Sequence, residues 1–263
     1  MGWFGARKQP EPDVAGRMAA AYDAAARGDY TAALDIWTPL AHAGVARAAN
    51  NIGACFNEGM GVERDVKLAE RWLQLAAQGG DAIGQRNLAT LYFKGDGVEQ
   101  DNVRAAELYR AAAEQGDATA QDMLSWMLLE GDTIAGDVVA AREWAERAAA
   151  QGIAASMTRL GMIHHNALGV PRDADAAVHW WRQGAERGDA DGQAMLGAAY
   201  HLGSGVPRDA VAAMTWLLRA RNGGSPLAQR FFDAVRATLT PGEKAEAERR
   251  AAGPLETFSE SSA

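Results

Sequence analysis

Apolar positions in this chain fall on helical stripes, and the stripes come in pairs that recur every 36 residues. Ile52, Leu88, Leu124, Leu160 and Leu196 keep that step, as do Ala69, Ala105, Ala141, Ala177 and Ala213. Trp72, Trp144, Trp180 and Trp216 form another series, with Leu108 taking one place. The punctuation keeps the same period, in Gly44, Gly80, Gly116, Gly152, Gly188 and Gly224 and in Asp65, Asp101, Asp137, Asp173 and Asp209. One unit, Gly80 to Gly116, predicts two antiparallel helices. Asp81 caps a first helix over Ala82 to Lys94, with Leu88, Leu91 and Tyr92 on one face. Gly95 and Gly97 then supply the positive φ that ends a helix and turns the chain, and Val98 returns to the core. Asp101 caps the second helix, whose Ala105, Leu108, Ala112 and Ala113 share a face. A unit of this kind cannot bury its apolar stripe alone and must stack on its neighbours. The predicted fold is all-α, a right-handed α-α superhelical solenoid of stacked helix-turn-helix repeats.

Small and large residues divide the packing. The alanine series lets helix backbones approach, and the tryptophan series fills the space between hairpins. Burying one Trp removes ~150–250 Å² from water, an upper bound of roughly 4–6 kcal/mol, so a Trp in register reads as a packing wedge. The predicted layout has a disordered tail at 1–12, a capping hairpin at 13–43, five repeats at 44–223, capping helices at 224–252 and a disordered tail at 253–263. The capping hairpin turns tightly at Arg27-Gly28-Asp29, and Pro39 is expected to kink its second helix. Pro226 to Thr238 reads as a closing helix, and Thr240, Pro241 and Glu243 start a last charged one.

Four turns read Gly59-Met-Gly-Val-Glu-Arg-Asp65, Gly95-Asp-Gly-Val-Glu-Gln-Asp101, Ala167-Leu-Gly-Val-Pro-Arg-Asp173 and Gly203-Ser-Gly-Val-Pro-Arg-Asp209. Each is followed by a buried-type Ala, usually a Trp, and an ending like Ala112-Ala-Glu-Gln-Gly116. This combination resembles the Sel1-like repeats, a subfamily of the tetratricopeptide-type α-solenoids. The third repeat departs, since Gly131-Asp-Thr-Ile-Ala-Gly-Asp137 puts Thr133 where the second glycine belongs. In the fourth, Ala167 replaces the first glycine and His164 the usual aromatic.

Charge narrows the partner. A net charge of -8 opposes binding to nucleic acid or an anionic membrane surface, both of which require basic patches. Cys55 is the only cysteine, which excludes an intramolecular disulfide and fits a reducing compartment. Pro10, Glu11, Pro12 and Asp13 stand where a secretory apolar segment would lie, and no stretch approaches the length of a membrane span. The cytoplasm is the expected location, and a monomer the expected state.

The resemblance implies that partners bind on a concave surface lined by the first helix of each hairpin. Aligned through Leu196-Gly197 and Tyr200, it points Arg86, Thr90, Phe93 and Lys94 to that surface, then Asp122, Trp126, Met162, His165 and His201. Aromatic and Met side chains with an Arg nearby are the composition of an interaction hot spot. Trp126 either faces the groove or packs between adjacent first helices. Opposite charges at matching repeat positions either serve a ligand or pair along the stack. His165 and His201 share a repeat position, but zinc needs at least three protein ligands, so groove or surface histidines are the plainer reading. No cofactor or metal is expected. The Gly-x-Gly turns precede acidic helix starts, which does not suit phosphate. Nucleophile elbows and zinc-protease motifs do not occur in the sequence. The resemblance implies a non-catalytic adaptor for a protein or peptide. It also holds an alternative: cysteine-rich secreted relatives have been linked with β-lactam binding and hydrolysis, but they staple each hairpin with a cysteine pair that this chain lacks.

Overall fold

A computed structural model describes residues 13–255, and the expected tails at 1–12 and 256–263 lie outside the described residues. The described residues form fourteen helices and no strand. The chain divides into two compact units, 1–115 and 116–263. The first holds α1 (Val14–Ala26), α2 (Tyr30–His42), α3 (Ala46–Glu58), α4 (Val66–Gln78), α5 (Ala82–Lys94) and α6 (Asn102–Glu114). The second holds α7 (Ala118–Glu130), α8 (Val138–Ala150), α9 (Ala154–His165), α10 (Ala174–Glu186), α11 (Ala190–Leu202), α12 (Ala210–Asn222), α13 (Gln229–Thr238) and α14 (Pro241–Ala252). Within each unit, consecutive helices pack as hairpins and each hairpin packs on the next, the arrangement of an α-solenoid.

Local chemistry accounts for the regularity. Ten helices are capped by an aspartate whose carboxylate accepts an N–H three residues on, as Asp81 does from Gly84 at 2.7 Å and Asp101 from Arg104 at 2.9 Å. Helices α3, α5, α7 and α11 end on a glycine in the left-handed region. Ala167 takes that conformation at φ 55, the only non-glycine to do so among the described residues. Thr133 does not adopt positive φ, so the third-repeat turn follows a different path from its neighbours.

The core is built on close helix crossings. Ala69, Ala105, Ala141, Ala177 and Ala213 are all fully buried. Opposite them on the first helices sit Gly53, Gly161 and Gly197, where a Cβ would lie 3.2, 2.9 and 3.0 Å from the carbonyl oxygens of Ala69, Ala177 and Ala213. In the third repeat the matching residue is Ser125, and its hydroxyl donates to the Ala141 carbonyl at 2.7 Å. Of the Trp series, Trp144 and Trp216 are buried, while Trp72 and Trp180 are half-buried. The most completely buried Trp of the repeats is Trp181, outside the series, lying across Gly161.

Helix α2 continues through Pro39 to His42. One expectation is corrected at the caps. The closing helix begins at Gln229 rather than Pro226, because Ser225 to Ala228 form a turn in which the Ser225 hydroxyl accepts from the Leu227 amide. Helix α14 opens with a reciprocal capping box between Thr240 and Glu243.

Candidate partner-binding site

First helices of successive repeats touch one another directly, α3 on α5 in the first unit and α7 on α9 and α9 on α11 in the second. Second helices of successive repeats lie farther apart. The first helices therefore form the tighter side within each unit, where a concave groove belongs.

In the first unit, α3, α5 and the turns after them enclose a crevice of about 500 Å³. Ala54, Asn57 and Glu58 form one wall, and Asn87, Thr90, Leu91 and Lys94 the other. Leu73 from α4 closes the floor, with Arg64 and Asp96 at the rim. The walls are joined below by a rung in which the Asn87 amide donates to Asn50 at 2.8 Å. At the rim, Arg64 reaches Asp96 at 2.6 Å and also donates to the Asn57 carbonyl. Thr90 is set by its neighbours: its hydroxyl lies 3.0 Å from the Arg86 carbonyl and 2.9 Å from the Tyr109 hydroxyl. Burial raises the pKa of Tyr109, so that phenol stays protonated and serves as a fixed post under Thr90. Lys94 is exposed and has no hydrogen bond or ion pair among the described residues.

Of the residues expected at the groove, Thr90 and Lys94 line this crevice, Arg86 lies one turn back on α5, and Phe93 is half-buried on the same helix. In the second unit Asp122, Trp126, Met162, His165 and His201 all keep partial exposure. Asp122 is committed to structure, because Arg159 donates to it at 2.7 Å and the Ser156 hydroxyl at 2.5 Å. This is the same rung as Asn50 with Asn87, a step of 37 residues rather than 36, so the partner sits one place past the matching repeat position.

The two histidines are separated by what they pack on. His165 lies against Trp181 at 5.2 Å between ring centroids, and His201 against Phe231 of α13 at 6.4 Å. Burial, with the Arg172 charge adding to it, lowers the His165 pKa and keeps the ring neutral near neutral pH. No three potential metal ligands come together among the described residues. Asn50 and Thr158, on the first helices of the first and fourth repeats, are buried and bonded to Asn87 and Asp189.

Sequence reasoning passed over Asn87, Leu91, Arg64 and Asp96. The first two lie one place beside the expected stripe, a rotation that pattern alone does not resolve. The other two belong to turns, and only the pairing of successive turns brings them to the rim.

Helix hairpins stacked at this period, with a groove on the first-helix side, define a helical-repeat protein of the α-solenoid class. The Sel1 repeat profile matches five times, at residues 46–81, 82–117, 118–153, 154–189 and 190–225, and the chain belongs to the Sel1 repeat family. Proteins of this family are typically non-catalytic and generally mediate protein–protein interactions. A Sel1 repeat protein from Oxalobacter formigenes is similar in structure, with 27% identity, a TM-score of 0.80, and coverage of 90% of this chain and 97% of that one. A protective antigen of uropathogenic Escherichia coli strains with an SLR fold matches at 24% identity and TM-score 0.45, covering 90% and 67%. A Sel1 repeat protein from Klebsiella pneumoniae matches at 22% and 0.47, covering 76% and 97%. No curated protein matches the sequence significantly. No described helix is long and apolar enough to cross a membrane.

Proposed function

We propose that the chain is a non-catalytic scaffold that acts as a cytoplasmic monomer and binds a partner protein or peptide along its first-helix face. The observation that carries this reading is the crevice of about 500 Å³ between α3 and α5. Its walls mix carboxamides, a hydroxyl, the Glu58 carboxylate and an unpaired ammonium around the apolar Leu73 and Leu91, which suits an extended peptide whose backbone needs partners while a side chain packs on the two leucines. In this reading Arg86, Thr90, Phe93 and Lys94 contact the partner in the first unit. Trp126, Met162, His165 and His201 serve the same face of the second, where Asp122 holds successive first helices together through Arg159 and Ser156. Area alone does not set affinity, so a few of these side chains dominate.

The test is affinity capture from native lysate with wild type and a Thr90→Arg/Lys94→Glu variant whose helicity is unchanged. Partners held by wild type and lost by the variant are the expected result. Partners held equally by both would move the site off this groove.

A further inference from the structure

A second, smaller crevice lies where α12, α13 and α14 meet, with a volume of about 140 Å³. Arg221, Arg236 and Lys244, one from each helix, line it over a base of Met214, Leu218 and Phe232. Glu248 is the single acidic residue in the lining. We propose that this crevice is a binding site for a dianionic phosphoryl group.

Three observations support it. Arg221 is positioned without being neutralised, because its guanidinium stacks 4.2 Å above the Phe232 ring, which fixes its plane and leaves its edge donors available. Arg236 and Lys244 have no side-chain hydrogen bond or ion pair to any described residue, and neither does Glu248. Among the other arginines of this cap, Arg249 and Arg250 share Glu246, and Arg219 donates to the carbonyls of Arg250, Gly253 and Pro254, whereas Arg230, outside the crevice, has no side-chain partner among the described residues. Three cations against one carboxylate leave two net positive charges in a chain whose overall balance is -8. A phosphate dianion matches that excess and accepts charge-assisted hydrogen bonds from several directions at once. A single carboxylate would leave one charge uncompensated.

The test is calorimetric titration of the full chain with inorganic phosphate, with chloride added to hold ionic strength constant and circular dichroism to verify the fold of each variant. Saturable one-to-one binding is expected. Arg236→Gln should weaken it at least tenfold, the loss of one hydrogen bond between charged groups. Arg249→Gln, outside the crevice, should leave it unchanged. Glu248→Gln should tighten it, since it removes the one opposing charge, and a variant that merely disturbed the cap would not do so. O-phosphoserine binding as well as inorganic phosphate would identify the ligand as a phosphomonoester, and phosphate alone as the free ion. Absence of saturable binding by wild type, equal losses in the two arginine variants, or weaker binding by Glu248→Gln would each overturn the proposal.

Discussion

At Gly161, Trp181 lies where a methyl group would otherwise be, and the two residues are legible only together. A Cβ on Gly161 would collide with the indole and would stand 2.9 Å from the Ala177 carbonyl. Gly161→Ala should therefore destabilise the protein by about 2–3 kcal/mol, the overpacking range, as read by urea unfolding. Trp181→Leu should absorb part of that cost in a double-mutant cycle, because Gly197 accepts Leu217 in the next repeat with a projected contact of 2.9 Å. Ala167 offers the opposite change. It holds φ 55 where glycine stands in sister turns, so Ala167→Gly should stabilise by about 1 kcal/mol. An unchanged or lower unfolding midpoint would show that the turn is not strained. Burial pushes the Cys55 thiol up to about 11, which keeps it protonated and unreactive in the folded protein. The sequence made the Ala and Trp series visible because they recur. Trp181 escaped because its column holds Leu73, Tyr109, Ala145 and Leu217, and packing fixes only how each of these fits its small partner, not which residue it is.

Among the elements, the repeat helices were readable nearly to the residue. Ala82–Lys94 follows from Asp81 in front and Gly95 behind, each of which satisfies backbone groups the helix leaves open. The cap after the last repeat was less readable, since Pro226 suits a helix start as well as the turn it occupies. Between elements, polar rungs tie successive first helices together. The Asp122–Arg159 rung is largely buried, with side-chain exposures of 18% and 11%. Arg159→Ala would strand the carboxylate with only Ser156 beside it, and should cost about 2–3 kcal/mol. Arg47→Ala breaks a more exposed pair with Asp81 and should cost under about 1 kcal/mol. Equal losses at the two sites would mean that burial does not govern these rungs. The Asn50–Asn87 and Asp122–Arg159 rungs were not foreseen because they step by 37 residues, one past the period that the sequence displays, and the Arg47–Asp81 pair because it steps by 34.

For the molecule as a whole, the period of 36 was enough to fix the class, and the five matched repeats place the chain in its family. Function is legible only as far as that class reaches: stacked first helices expose a groove, and the residues that line it were half foreseen. Thr90 and Lys94 were on the expected stripe, while Asn87 and Leu91 beside them were not. Proteins of this family generally mediate protein interactions, and a net charge of -8 opposes a polyanionic ligand. The most direct measurement is photocrosslinking in native lysate, with a benzophenone side chain at position 90 in the groove or at position 103, an exposed site on α6. A discrete adduct from position 90 and none from position 103 is the result this account predicts. Adducts from position 103 alone would contradict it and put the binding surface on the second helices.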